Sequence, residues 1–366
     1  MTAYIARRLL LMIPTLFGIM VINFVIVQLA PGGPIEQVIA QLTGEGTSIT
    51  ERITRTGTGD TLAVTQVQDR GPSRYRGAQG LDPEFIKELE VRFGFDKPMH
   101  ERFIKMMGNY ITLDFGDSFF RDRSVVELVL EKMPVSISLG IWTTLLVYLI
   151  SIPLGVAKAV RDGSRFDIWT SAVVIVGNAI PSFLFAVILL VVFAGGSYFD
   201  WFPLRGLVSE NWREMPWPEL VLDYLWHMVL PITAMVIGGF ATLTMLTKNS
   251  FLDQINQQYV VTAKSKGLSE GRVLYGHIFR NAMLIVIAGF PSAFISILFT
   301  GSVLIEIIVS LDGLGLLGFE AAFARDYPVM FGTLFFFSLL GLGMGLIGDL
   351  MYTVIDPRIT FERVGV

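Results

Sequence analysis

Cysteine is absent from the chain. Its absence excludes disulfides, thiolate metal sites, iron–sulfur clusters and cysteine nucleophiles, and leaves the redox compartment open. Histidine is nearly absent: His100, His227 and His277 stand far apart, with no H-E-x-x-H pair among them. A lone histidine is more often structural than catalytic, so no metal site is expected. The phosphate-cradling G-x-x-x-x-G-K-[ST] loop is missing, and so is the G-x-S-x-G nucleophile elbow. The chain is therefore expected to carry no cofactor and no ATP site of that kind. Charge is also scarce, at 16% of residues, against about 25% in an average soluble chain. The net charge of −4 says less than where the charges lie.

What the chain does have is apolar sequence in long blocks, with 52% hydrophobic residues and a mean hydropathy of +0.60. A spanning helix needs about 20 mostly apolar residues to cross about 30 Å of hydrocarbon. Six segments meet that need: Leu9–Ala30, Val135–Ala157, Ser171–Gly195, Met228–Leu246, Met283–Ile308 and Val329–Ile355. Backbone groups in lipid must pair within their own segment, and the dyad alternation of barrel strands is missing, so helices are expected. Arg7 and Arg8 precede the first block, which is too long for a signal-peptide core and ends in no small-x-small site. It reads as a retained helix.

Basic residues set the orientation. Arg7, Arg8, Lys158, Arg161, Arg165, Lys248, Lys264, Lys266, Arg272, Arg280, Arg358 and Arg363 fall on one side, and Arg205, Arg213 and Arg325 on the other. Both termini are thus expected in the cytoplasm. The long first external loop, Pro31–Pro134, is of mixed charge and does not vote. Within it, Thr43–Gly80 is rich in Gly, Thr, Arg and Gln and reads as irregular. Asp82 then suits a helix cap, with Pro83 at the first position and Gly94 beyond the end. Phe85, Ile86, Leu89 and Phe93 recur at helical spacing, and a second amphipathic stretch covers Pro98–Ile111. The loop reads equally as a cap on an external mouth or as a packing insertion. The expected organisation is a first span (1–30), an external loop (31–134), a five-span core (135–357) with a cytoplasmic loop (247–282), and a tail (358–366).

That cytoplasmic loop is basic. Ser250 and Asp253 match a capping box for a helix reaching Lys266, Gly267 suits a left-handed C-terminal cap, and Ser269 suits the start of the next helix. Ala263 and Gly267, four apart and both small, would let another surface approach the backbone closely. The plainer reading is an amphipathic loop packed under the bundle. Ionisable groups inside the spans are few, chiefly Glu306 and Asp349 near helix ends. Carriers driven by ion gradients tend to place such groups near the midplane, which argues against a secondary transporter; if the chain serves transport that needs energy, the energy is expected from another chain.

Val261-Thr262-Ala263 followed by Gly267 resembles the E-A-A-x-x-x-G loop of ABC-importer permeases, with Val261 in place of Glu. Around it, Tyr259, Val260, Thr262, Ala263, Lys266, Gly267, Leu268, Ser269 and Glu270, then His277, Arg280, Asn281 and Ala282, resemble the Y-V-x-T-A-x-A-K-G-L-S-E and H-x-x-R-N-A runs of the oligopeptide and dipeptide permeases. Further matches are Tyr4–Leu10, Ile13-Pro14-Thr15 and Ala30-Pro31-Gly32. Asp114-Phe115-Gly116-Asp117-Ser118 is similar to the segment ahead of the family's core. Glu306, Ser310–Gly315 and Arg325-Asp326-Tyr327-Pro328 resemble the E…P-G-L-G…R-D-Y-P signature, with Asp312 in place of Pro. The insert, Tyr75-Arg76-Gly77 and Phe202–Gly206 are similar to the Yej-type branch, which is associated with peptides and microcin C-like antibiotics.

The resemblance implies an all-α membrane protein of the type I importer-permease fold, with six spans and a long first periplasmic loop, in the bacterial inner membrane. It implies a homologous second permease as partner in a heterodimer, cytoplasmic ATP-binding subunits that hold ATP and Mg, a periplasmic peptide-binding protein and the lipid bilayer, and no nucleic acid. It places ATPase coupling at Tyr259, Val261, Thr262, Ala263, Lys266, Gly267 and Leu268. Glu306, Asp312, Gly313 and Gly315 are the candidate external gate; for Glu306 the alternative is a structural partner for a nearby group. The competing classes are an autonomous carrier or channel, whose transport would ignore ATP, and a membrane-embedded enzyme, for which no catalytic constellation is recognisable.

Overall fold

In a computed structural model, residues 2–30, 32–42, 82–196, 198–296 and 303–355 are described. Pro31, the Thr43–Gly80 insert with Tyr75-Arg76-Gly77, and the tail with Arg358 and Arg363 lie outside the described residues, as does part of the fifth expected span. In chain order the helices are α1 (Thr2–Leu29), α2 (Pro34–Leu42), α3 (Pro83–Arg92), α4 (Met99–Ile111), α5 (Val125–Val160), α6 (Arg165–Ala179), α7 (Ser182–Phe193), α8 (Trp217–Ile255), α9 (Gln258–Ser265), α10 (Glu270–Val273), α11 (Phe279–Ala288), α12 (Phe290–Ser296), α13 (Val303–Ile308), α14 (Leu314–Ala324) and α15 (Tyr327–Ile355). A π turn, Leu274–Ile278, joins α10 to α11. Extended pairing among the described residues is limited to an isolated bridge between Asp117 and Ser124.

Among the described residues, five helical stretches are long and apolar enough to cross a membrane: Ala3–Leu29, Val125–Val160, Trp217–Ile255, Glu270–Ile295 and Tyr327–Met351. One further pair, α6 and α7, is apolar enough when taken together and is bent by 90°, the geometry of a broken span or a re-entrant loop. Each expected segment overlaps one of these stretches; the fifth is matched by Glu270–Ile295, and its part from 297 to 302 lies outside the described residues. Two expected segments are corrected. The third is broken at Ile180, whose backbone is extended (φ −89°, ψ 119°). The following Pro181 disfavours the helical region for the residue before it and has no N–H to give. The fourth is much longer than Met228–Leu246. At 39 residues α8 measures about 58 Å, so it projects well beyond the hydrocarbon.

The chain divides into two compact units: Met1–Ile13, Glu131–Leu317 and Phe337–Val366 in one, and Pro14–Leu130 with Gly318–Phe336 in the other. In the first unit α8 is the central element, packed against α6, α7 and α11. Its contact with α5 is tied by Trp142 Nε1–H to Tyr224 Oη at 2.9 Å and Ser151 Oγ–H to the Phe240 carbonyl at 2.9 Å. At Gly155 the two helices meet with no room for a side chain: a Cβ there would lie 2.6 Å from Thr247 Cβ and 2.8 Å from the Thr244 carbonyl oxygen. Asp349, one of the few acids in the spans, accepts from Tyr4 Oη at 2.8 Å and pairs with Arg8 at 2.7 Å.

In the second unit, α3 starts as its residues dictate. Asp82 accepts from Glu84 N at 2.9 Å, Pro83 opens the helix, and Gly94 follows with φ +73°. Leu89 and Phe93 join Ile35 and Ile39 in a small core, with Phe85 and Ile86 packed against it. α4 begins after Pro98, as expected. Its Tyr110 is 4% exposed, against Phe115 and Phe335, and burial raises its phenol pKa.

Candidate functional site

The cytoplasmic loop is the first of three sites. Ser250 and Asp253 do not start a helix, because α8 runs through them to Ile255. Phe251 is buried there, and the Ser250 hydroxyl donates to the Ala282 carbonyl at 2.6 Å, so it is committed across the bundle rather than to a cap. The break falls at Asn256–Gln257, and α9 follows. Its end is a Schellman turn: Gly267 at φ +79° donates its N–H to the Lys264 carbonyl at 2.9 Å, and Leu268 N–H reaches the Ala263 carbonyl at 3.4 Å. Ser269 stands at the next N-cap, but its hydroxyl makes no cap bond; its carbonyl accepts from Val273.

Burial divides α9 and its turn into two sides. Val260 (1% exposed) and Ala263 (7%) belong to the core of the first unit, with Tyr259 and Leu268 packed against it. Val261, Thr262, Lys264, Lys266 and Gly267 are exposed. The expectation that Ala263 and Gly267 form one small-residue docking face is therefore corrected: Ala263 fits its own bundle, and only Gly267 is presented outward. The outward set is an apolar Val261 beside two lysines.

The second site surrounds Glu306, which is 0% exposed. Its carboxylate accepts from Leu316 N at 2.7 Å, in the first turn of α14, where the helix dipole favours an anion. A Cβ on Gly313 would lie 2.6 Å from the Glu306 carboxyl carbon, and one on Gly315 3.1 Å from a carboxylate oxygen. These glycines leave the space that the acid fills. Leu314 N donates to Ser136 Oγ at 2.8 Å, and Asp312 pairs with Lys132. This geometry favours the structural-partner reading of Glu306 over direct contact with cargo. Glu306→Ala is expected to lower stability by about 0.5–2 kcal/mol, as lost helix caps do, and uptake equally for every peptide. Thermal melting of the detergent-solubilised complex beside uptake assays checks this; a loss confined to certain peptides at unchanged melting temperature would restore the gate.

The third site was not singled out from the sequence. Lys158, counted there as a loop cation, is 0% exposed. Its ammonium lies 2.9 Å from Asp167 Oδ1 and donates to Ser171 Oγ (2.7 Å), Thr170 Oγ1 (2.9 Å) and the Asp167 carbonyl (3.0 Å). Lys248 of α8 reaches Asp167 Oδ2 at 2.7 Å and Asp162 at 2.8 Å. One buried carboxylate thus joins α5, α6 and α8. The signal available in the sequence was Lys158 and Asp167 flanking the short loop of Asp162 and Gly163; only tertiary packing brings Lys248 to them.

In the second unit, two stretches that carried the family resemblance meet. Ser118 Oγ–H and Phe119 N–H both donate to Asp326. Burial raises the Asp326 pKa, and these two donors oppose the shift. No group of acids and histidines that could hold a metal is present among the described residues.

Long apolar helices, a bundle-anchored turn on the basic side and family signatures closed into tight contacts define a membrane-embedded transport subunit. Residues 151–361 match the family described as the binding-protein-dependent transport system inner membrane component. The chain is 62% identical to the peptidoglycan transport system permease protein YejB of Agrobacterium fabrum over 363 residues, covering 99% of each chain. It is 59% identical over 362 residues to the inner membrane ABC transporter permease protein YejB of Escherichia coli, covering 99% of this chain and 100% of that one. It is 33% identical over 362 residues to the oligopeptide transport system permease protein AppB of Bacillus subtilis, again covering 99% and 100%. The chain belongs to the binding-protein-dependent importer permeases. It is a multi-pass inner-membrane permease subunit of an ABC importer, with ATPase and binding-protein partners, and the expected all-α fold class holds for the described residues.

Proposed function

We propose that this chain is one of two homologous permeases that pair around a pore and pass peptides into the cytoplasm. Antibiotics of the microcin C kind are the narrower cargo class that the resemblance implies. The names of its relatives, which refer to peptidoglycan and oligopeptide transport, support a peptide cargo. ATP and Mg sit on the partner ATPases, and this chain contributes no nucleotide site. The observation that carries the reading is the exposed turn at Val261–Gly267, anchored by Val260 and Ala263. It offers an apolar residue followed by two lysines to a groove on a cytoplasmic ATPase. Nucleotide and loaded binding protein then bias one two-state element. At the outer end, Asp312, Gly313 and Gly315 shape the turn that holds Glu306, and they serve the external gate by positioning rather than by touching cargo.

Gly267→Val tests the coupling assignment. A Cβ at this position meets nothing within 4 Å, so the penalty is confined to the left-handed backbone, about 1–2 kcal/mol. Membrane insertion should stay normal, while peptide uptake and peptide-stimulated ATPase activity fall together. Normal uptake would remove the assignment. Orientation has its own check. Tags after Val366 and near Asp162 should be cytoplasmic, and one within Thr47–Arg70 external. A tag at Thr47–Arg70 shielded from outside protease in opened outer-membrane cells would contradict this arrangement.

A further inference from the structure

A cavity of about 540 Å³ lies within the first unit, bordered by α5, the start of α7, α8 and the α11–α12 region. That volume is in the range of small-molecule sites. Thr143, Thr144, Tyr148, Ser182 and Thr242 are its hydroxyl-bearing lining residues; the rest of the lining is glycine, alanine and apolar side chains. No Asp, Glu, Lys, Arg or His is among the lining residues, so the wall suits an uncharged occupant.

Two features set the cavity apart from a packing void. The first is Thr144, which is 2% exposed and whose hydroxyl has no hydrogen-bond partner. Five other helical threonines, Thr170, Thr233, Thr247, Thr262 and Thr333, turn the hydroxyl onto the carbonyl four residues back; Thr244, buried in α8 outside the lining, shares the unmet hydroxyl, and of the two only Thr144 borders the cavity. On the cavity wall, Tyr148 donates to the Val286 carbonyl at 3.2 Å and Thr143 to Met235 Sδ at 3.7 Å. Thr144 is left with an unmet donor and acceptor, which a buried hydroxyl does not keep without cause. The second is the break in the third span. Ser182, directly after Pro181, lines the cavity, and non-helical backbone at membrane depth persists only where protein buries it or an aqueous cavity receives it.

We propose that this cavity is a cargo-contacting chamber on the transport path, taking an uncharged stretch of peptide. Thr144 Oγ1 exchanges a hydrogen bond with a backbone amide of the cargo, and apolar cargo side chains rest against Val147, Met235 and Leu243. The assignment rests on the peptide-importer reading above and adds the residues that meet the cargo.

The chain has no native cysteine, so Thr144→Cys places a single thiol in it. In the full complex reconstituted in liposomes, a water-soluble methanethiosulfonate reagent should modify that thiol, and a transported tripeptide should slow the modification. Leu149→Cys, at a position 64% exposed on the same helix, should show no such protection. Thr144→Val keeps the shape and removes only the unmet hydroxyl. Its complex should melt no lower than wild type, while tripeptide uptake falls about two- to ten-fold, the effect of one net hydrogen bond. A thiol at 144 that stays unreactive, as a lipid chain or the second permease filling the space would make it, overturns the assignment. So does labelling that ignores the peptide, or wild-type uptake by Thr144→Val. If the wild-type complex takes up no peptide, the function reading itself falls and this assignment with it. If wild type transports and Thr144→Cys is not protected, only the chamber falls.

Discussion

Gly155→Val is expected to remove most folded permease from the membrane. The new Cβ alone would sit 2.6 Å from Thr247 Cβ and 2.8 Å from the Thr244 carbonyl oxygen. Neither is the far end of a flexible side chain, so relief requires α5 and α8 to separate. Their contact also holds the Trp142–Tyr224 and Ser151–Phe240 hydrogen bonds. Overpacking costs about 1–3 kcal/mol in forgiving cores, and valine's γ carbons add to the clash of the Cβ. Fluorescence-detected size exclusion after mild solubilisation should show a collapsed monodisperse peak. Thr247→Ala keeps the Cβ and should not rescue it. A Gly155→Val protein with wild-type melting temperature would mean that the helices do not cross as described.

The second large effect is expected at Asp167, and it is asymmetric. Asp167→Asn leaves the ammoniums of Lys158 and Lys248 buried or nearly so, at 0% and 12% side-chain exposure, with one carboxylate fewer between them. Breaking a buried pair by removing one partner costs about 3–5 kcal/mol. Lys158→Met is milder, because Asp167 keeps Lys248 at 2.7 Å and the methionine fills the space of the lysine stem. Thermal melts of the two variants should therefore rank Asp167→Asn well below Lys158→Met. Equal stability of Asp167→Asn and wild type would show that the cluster carries no structural role.

The six apolar segments were legible because span length and composition follow directly from bilayer thickness. The Asp82–Pro83 start, the Pro98 start and the left-handed turn at Gly267 were legible because capping chemistry is local. What was not legible depended on partners distant in the chain. Ser250 and Asp253 satisfy the local rule for a helix start, but the Ala282 carbonyl claims the serine. Ala263 looked like a docking residue until the bundle beneath it was visible. Lys158 entered the sequence reading as a loop cation, and nothing near it in sequence announced full burial. Glu306 was recognised as an acid in need of a partner; that the partner is the start of α14, in space left by Gly313 and Gly315, required the turn to be seen closed.

The rooting of α9 has a mechanical consequence. Val260 and Ala263 share one core cluster with Leu139 of α5 and Val286 of α11, so the exposed tip at Gly267 is not hung on a slack tether. A push on the tip cannot be absorbed by a bending loop without pulling Val260 and Ala263 out of that core. Displacement at the cytoplasmic surface must therefore travel into the helices as a nearly rigid stroke, and the stiffness of two small buried side chains sets how much of it arrives.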